Sequence, residues 1–479
     1  MPPNIIFLLI DGLRADQVYG ENKTSVTPNI DSLIKKGLYF TNAFSSVDGT
    51  IVSLNTIFSS KFQVGNAARA QRVVLQEKNL LDVLKTNGYH IYGALPDFGS
   101  FKSLIEKFEN KSDEKSNLIE KNINGVDPVE EQFKGDILNN SKSEYERNHA
   151  TLPTGLGDRI IQFLKNKNKQ EPFFCYFHIF DLHPLREGKK PLGIENFDNE
   201  EYGSNTFSRT VSSIDSWLGK ILKNIDFDNT IVILTADHGE RIPYDDFRAV
   251  DFQPKLDSAV SVGKKILPKS AHKLGGQFLH NIRKSAGKRR LEKSNKELSN
   301  YEKRSRTTFD NVSIFDEMLH IPLLFVGNKI KSNMNNHNVH HTDIFSTLCG
   351  LVDIKLNNKI EGRDLMKVIS EKNTKEKSIY IRTRPYIEEE FDERDSLGIR
   401  TDKYKYFRFA RNPDENVHLY DLKNDPFENI NIAKGNEELI KEFETRISEI
   451  EKNEISHDDE LSEEEQKRIS KELKRLGYM

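Results

Sequence analysis

Cysteine is almost missing from this chain. Only Cys175 and Cys349 occur in 479 residues, each in an apolar stretch. Both read as small buried hydrophobes, which excludes a disulfide framework and a cysteine-based zinc site. Long hydrophobic runs are missing as well. No stretch approaches the roughly 20 apolar residues that a membrane span needs. The early apolar run at residues 4–10 has no basic segment before it, so it lacks the build of a secretory leader. The expectation is therefore a cytoplasmic chain. Excess charge of one sign is absent too. A net charge of −3 gives no global attraction to nucleic acid, and no specific nucleic-acid partner is expected. With 36% hydrophobic and 30% charged residues, the composition is that of a water-soluble protein with a polar periphery. The length suits one large domain with a smaller one, or several domains. There are no internal repeats.

What is present begins at the N-terminus. Asn4-Ile-Ile-Phe-Leu-Leu-Ile10 is an apolar run that stops at Asp11-Gly12. Such a run reads as a strand buried on both faces. A carboxylate at its C-terminal end stands where open α/β sheets place ligands. Residues 229–239 repeat the pattern, ending in Asp237-His238-Gly239. If the two strands are parallel neighbours, two carboxylates and an imidazole meet at one sheet edge. That makes a divalent-metal site the leading reading.

Between these strands the chain alternates. Residues 27–37 predict a short helix, with Thr27 as cap, Pro28 in the first turn, Ile30, Leu33 and Ile34 inward, and Gly37 as terminator. Residues 38–44 predict a strand, and Ser45–Gly49 leads into a helix whose Leu54, Ile57 and Phe58 have helical spacing. Thr50 stands at the start of that helix. Free N–H groups and the positive dipole end suit an anionic ester there, and a metal-activated hydroxyl can be a nucleophile. The competing reading makes Thr50 an N-cap and nothing more. Further on come a helix at 77–87, a strand at 89–94, a polar excursion over 101–150, a helix at 156–167, and a strand at 172–180 that ends in Asp181-Leu-His183-Pro184. A helix at 206–223 precedes the strand carrying Asp237. This alternation predicts a doubly wound α/β fold, a mostly parallel sheet with helices on both faces.

After Glu240 the pattern breaks. Residues 255–306 hold fifteen Lys/Arg against four acids, a net +11, which leaves −14 for the rest of the chain. Leu274, Phe278 and Ile282 recur every fourth residue, so part of this stretch reads as an amphipathic basic helix. It is either a solvated excursion or a docking surface for an anionic substrate, polymer or lipid headgroup. Short alternating strands at 378–383, 397–401, 404–409 and 417–420 predict a small antiparallel sheet, and charged helices are expected at 436–451 and 461–476. The expected division is a catalytic domain over 1–375 with a basic insertion at about 244–308, a small antiparallel-sheet domain over 376–435, and a charged helical tail over 436–479.

Six segments now carry a resemblance. They are Asp11-Gly-Leu-Arg-Ala-Asp, Thr27-Pro-Asn-Ile-Asp-Ser-Leu, Phe40-Thr-Asn-Ala-Phe, Thr235-Ala-Asp-His-Gly-Glu, Phe315-Asp-Glu-Met-Leu-His-Ile-Pro-Leu and Leu419-Tyr-Asp-Leu-Lys-Asn-Asp-Pro-Phe-Glu-Asn. In order, they resemble the sulfatase branch of the alkaline phosphatase superfamily. The resemblance implies that superfamily's α/β fold with a small C-terminal domain, and hydrolysis or transfer at a sulfate or phosphate ester. It implies Asp11, Thr50, Asp237 and His238 as ligands of a divalent ion (Mn, Zn, Mg or Ca), Thr50 also as nucleophile, and His183 as the group that meets the leaving alcohol. A second metal through Asp181, His183 or His340 is a further option. His320, His340 and His341 otherwise read as structural.

There are departures from the family pattern. Where sulfatases carry a formylglycine precursor in C/S-x-P-x-R, this chain has Thr50-Ile-Val-Ser-Leu54, and the second aspartate of the first motif is Gly12. Gly49-Thr50-x-x-Ser53 is more similar to the threonine-nucleophile relatives, the phosphodiesterases and the phosphoglycerol and phosphoethanolamine transferases. The expectation is a metal-dependent ester hydrolase favouring phosphodiesters or phosphomonoesters. The alternatives are a phosphoalcohol transferase with a glycan or lipid acceptor and a non-catalytic binder of anionic ligands.

Overall fold

The computed structural model describes residues 2–96, 99–109, 151–166, 172–186, 190–242, 296, 298–305, 314–327, 330–356, 360–371, 377–384 and 395–452. The chain divides into two compact units, Met1–Glu240 with Phe309–Met479, and Arg241–Thr308. In the second unit the described residues include a short helix, Asn300–Ser305, whose last carbonyl accepts a hydrogen bond from Ile242 N–H at 2.9 Å. The amphipathic basic stretch around Leu274, Phe278 and Ile282, most of the 101–150 excursion and the helix expected at 461–476 lie outside the described residues.

The first unit is built on a mixed sheet of eight described strands. They are β1 Asn4–Ile10, β2 Leu38–Phe44, β3 His90–Ala94, β4 Phe173–Ile179, β5 Thr230–Thr235, β6 His320–Val326, β7 Asn333–Asn335 and β8 Val339–His340. The order is β3-β4-β1-β5-β6-β2-β7, with β8 also on β2. Strands β3, β4, β1 and β5 are parallel, and only β6 runs against its neighbours β5 and β2. Every residue of β1, β4 and β5 is buried. That is why these segments read as unbroken apolar runs instead of alternating ones. Their shared direction brings the C-terminal ends of β1, β4 and β5, and that of β2, to one edge.

The helix starts differ from the sequence expectation in an instructive way. Thr27 is at the N-cap of the Pro28–Lys36 helix, but its side chain does not cap it. Its hydroxyl bonds Asp31, and the free N–H groups of Asn29 and Ile30 are met by the carboxylate of Asp215, from the Thr206–Leu222 helix, at 3.1 and 2.7 Å. A long-range carboxylate thus does what a local hydroxyl was expected to do. None of the described helices is long and apolar enough to cross a membrane.

A second, antiparallel sheet follows the order β12-β11-β10-β9, from His418–Asp421, Tyr404–Phe409, Ser396–Arg400 and Ile379–Arg382. The Glu437–Glu451 helix buries Phe443 and Ile447 in the same apolar cluster as Ile399, Tyr406 and Leu419. Two links tie this sheet to the larger one. Lys405, fully buried, bonds Asp316 and Glu428 at 2.7 Å each, and Arg400 bonds Asp316 at 3.0 Å. Beside them, the chain at Arg382 pairs in parallel with Val47, and Arg382 N–H donates to Ser46 O at 2.8 Å.

Candidate metal and nucleophile centre

Asp11 follows β1 directly, and Asp237 stands two residues past β5, which lies beside β1 with Leu9 opposite Thr235. The register places both carboxylates at one point of the edge. Asp11, Asp237 and His238 each offer a ligand atom within 4.8 Å of the others, and all three are buried. The backbone completes the pocket floor. Asp237 Oδ1 accepts the N–H of Gly12 at 3.0 Å and that of His238 at 2.9 Å. Gly12 has φ of +70°, a left-handed conformation, and a Cβ there would meet Glu240 Cβ at 3.1 Å. Position 12 is thus a glycine for backbone reasons, and the carboxylate that the family pattern places there is absent.

Thr50 is the first residue of the Thr50–Ser59 helix, and Gly49 is the N-cap. The N-cap reading of Thr50 is therefore corrected. The threonine hydroxyl donates to Asp11 Oδ2 at 3.1 Å, with His238 Nε2 3.3 Å away. The loop before it has little freedom. Arg384 N–H donates to Asp48 Oδ1 at 2.6 Å, and a Cβ on Gly49 would lie 2.9 Å from Arg384 Cβ.

The donor set fits a cation. His238 Nδ1 is 2.5 Å from the carbonyl of Gly239 and donates to it, which turns Nε2 toward Asp237 Oδ2, 3.4 Å away. Asp237 Oδ2 is buried beside that imidazole, facing the Thr50 side of the centre. Burial pushes the Asp237 carboxyl up, and the neighbouring Asp11 charge adds to that. Burial would raise Asp11 too, but His178, His238 and His183 outweigh it and hold Asp11 low. Burial disfavours a charged His238, yet Asp237, Asp11 and Glu240 more than offset it, and its pKa is raised. Two buried carboxylates this close repel unless a positive charge sits between them. A divalent ion with one imidazole and oxygen ligands supplies that charge.

The other expected residues are placed as follows. His183 opens a short helix, His183–Arg186, is buried, and is close enough for its charge to act on Asp11. Asp181 does not join it in a second cluster. Both its oxygens lie 3.1 Å from Leu152 N–H, and burial raises its pKa to about 7. His340 is the N-cap of the His341–Leu351 helix, and His341 Nε2 bonds the carbonyl of Ala236 at 2.9 Å. Among the described residues the Asp11, Asp237 and His238 group is the one cluster with metal-binding geometry. One neighbour was not read from the sequence. His178, inside β4, has Nε2 3.7 Å from Asp11 Oδ2.

The profile of the family described as Sulfatase matches residues 3–354, and that described as N-sulphoglucosamine sulphohydrolase, C-terminal, matches 305–453. The chain belongs to the sulfatase family. It is similar to an ulvan-active sulfatase of Formosa agariphila, 24% identical over 481 residues, covering 92% of this chain and 79% of that protein. It is also similar to mouse arylsulfatase K, 23% identical over 315 residues, covering 61% of this chain and 52% of that protein. The chain thus spans about half the length of arylsulfatase K. A solved 2-O GAG sulfatase superposes with a TM-score of 0.60 at 17% identity, covering 94% of this chain and 92% of that one.

Proposed function

We propose that the chain is a divalent-metal-dependent hydrolase of phosphate esters, with Thr50 as nucleophile. The observation that carries this reading is the Thr50 hydroxyl, 3.1 Å from Asp11 and 3.3 Å from His238 at the first turn of a helix. Asp11, Asp237, His238 and the Thr50 oxygen would hold the ion. When bound, a divalent cation acts as a Lewis acid that lowers the pKa of a hydroxyl and polarises an ester oxygen.

The chain's own groups supply the rest. Thr50 Oγ forms a bond to phosphorus as the bond from phosphorus to the leaving alcohol breaks. The hydroxyl proton is lost to solvent before attack, Asp11 stays ionised, and His183 gives a proton to the leaving oxygen. The free N–H groups at the start of the Thr50–Ser59 helix suit the charge on the equatorial oxygens. Water then attacks the phosphothreonine, releases phosphate and restores the hydroxyl.

The preference for phosphate rests on position 50. A threonine cannot become the hydrated aldehyde of a formylglycine sulfatase, so its adduct must be resolved by a second displacement. The second reading, sulfate-ester hydrolysis on an acidic glycan, is favoured by the names of the relatives, an ulvan-active sulfatase among them.

The test is release of nitrophenol from para-nitrophenyl phosphate, bis(para-nitrophenyl) phosphate and para-nitrophenyl sulfate with each of Mn2+, Zn2+, Mg2+ and Ca2+. Phosphate-ester turnover that vanishes in Thr50→Ala supports the proposal. Turnover of the sulfate ester alone would replace it with the second reading.

A further inference from the structure

His178 has no role in the chemistry above, yet it is buried against the centre. Strand β4 pairs with β1 with His178 opposite Leu9, so His178 and Tyr176 lie on the sheet face that Leu9 and Phe7 share. The Tyr176 hydroxyl is 2.7 Å from His178 Nδ1. His178 Nε2 is 3.7 Å from Asp11 Oδ2 and makes no hydrogen bond of its own. The rings of Phe180 and Phe101 stand 4.4 and 5.7 Å from the imidazole and fix its plane.

The tautomer follows from these contacts. Burial and the charges of Asp237 and Asp11 push the Tyr176 phenol well up, so it keeps its proton and donates it. Nδ1 is then the acceptor, and the ring proton is on Nε2, facing a carboxylate. The opposite tautomer would turn a lone pair toward Asp11, which is unfavourable in a buried site.

We propose that His178 is a positioning residue of the metal centre: with Nδ1 held by Tyr176, its Nε2–H faces Asp11 Oδ2 and orients that carboxylate toward a divalent cation. Asp11 Oδ2 also receives the Thr50 hydroxyl, so the two contacts meet on one oxygen of this carboxylate. This is the outer support that metal-ligating groups commonly need. It rests on the reading that Asp11, Asp237 and His238 hold a cation.

The experiment measures Mn2+ binding to the full chain by equilibrium dialysis, with the electron paramagnetic resonance spectrum of bound Mn2+ as a second readout. Activity is not used. The variants are His178→Ala, His178→Gln, whose amide nitrogen can stand near Nε2, and Tyr176→Phe. The expected result is a loss of about 10–100-fold in affinity for His178→Ala, the range typical of outer-shell partners. Substantial recovery is expected in His178→Gln, with an intermediate loss and a changed spectrum in Tyr176→Phe. Wild-type affinity in folded His178→Ala, or equal losses in His178→Ala and His178→Gln, overturns the proposal. If His178→Ala does not fold, Tyr176→Phe decides, and unchanged affinity and spectrum there overturn it. A wild-type chain that binds no Mn2+ is a separate outcome: it removes the metal-centre reading, and this inference with it.

Discussion

The backbone N–H of Gly12 donates to Asp237 Oδ1 at 3.0 Å, across 225 positions of sequence. One bond ties the turn after β1 to the turn after β5, and so ties Asp11 to Asp237. Replacing Gly12 by Ala puts a side chain on a φ of +70° and against Glu240. A cost of about 1–2 kcal/mol is expected from the left-handed backbone. Denaturant unfolding should show it as a lower midpoint with an unchanged slope.

Thr50→Ala removes the proposed nucleophile and leaves Asp11, Asp237 and His238 in place. Turnover should fall by at least on the order of 10³-fold while Mn2+ binding persists. Thr50→Ser keeps the hydroxyl and should retain measurable activity. Mass spectrometry after rapid quench should find phosphate on Thr50 in the wild type and none in the alanine variant.

His238→Ala deletes an imidazole whose Nε2 faces Thr50. The loss in metal affinity should exceed the ~10–100-fold typical of outer partners. Chelation of the wild type should likewise abolish turnover, and readdition of metal should restore it. Dialysis against a chelator, followed by a metal series, checks both.

Asp181 gives a pH-dependent prediction. Burial raises its pKa to about 7, above the ordinary carboxylate value of 3.8. The folded state therefore holds a proton that the unfolded state releases, and this contribution to stability fades as pH rises from about 4 through 7. Asp181→Asn keeps an oxygen for Leu152 N–H and has nothing to ionise. Its melting temperature relative to wild type should rise between pH 5 and pH 8. A flat difference would contradict the raised pKa.

Lys405 is a stability determinant. Its ammonium lies between Asp316 and Glu428 with no exposure, and burial raises the Glu428 carboxyl to about 7 despite it. Lys405→Met takes the ammonium away from both buried carboxylates, leaving Asp316 its Arg400 contact, and should cost about 3–5 kcal/mol. Adding Glu428→Gln should recover part of the loss, which a double-mutant cycle by denaturant melts would measure.

The parts of this molecule that were legible in the sequence are those governed by local pattern. Apolar runs ending in Asp11 and Asp237 marked two central strands and their acids, because burial on both faces erases alternation. Short alternating runs marked the second sheet. The direction of β6 was not legible, since a strand carries no local sign of which way its neighbour runs. Nor was the cap of the Pro28–Lys36 helix, because Asp215 reaches it from 185 residues away. His178 stayed hidden for a related reason. Inside a fully buried strand, a histidine among phenylalanines shows nothing about what it faces until the register with β1 is known.

The pairing of Val47 with Arg382, and of Asp48 with Arg384, has a consequence for biosynthesis. A ribosome releases residues 1–240, with all of the proposed ligands, long before it reaches those arginines. The segment that leads into Thr50 gains this clamp only when the late part of the polypeptide emerges. A product that stops short of residue 382 would possess the acids and the imidazole but lack the bonds that residues 46–48 make with Arg382 and Arg384.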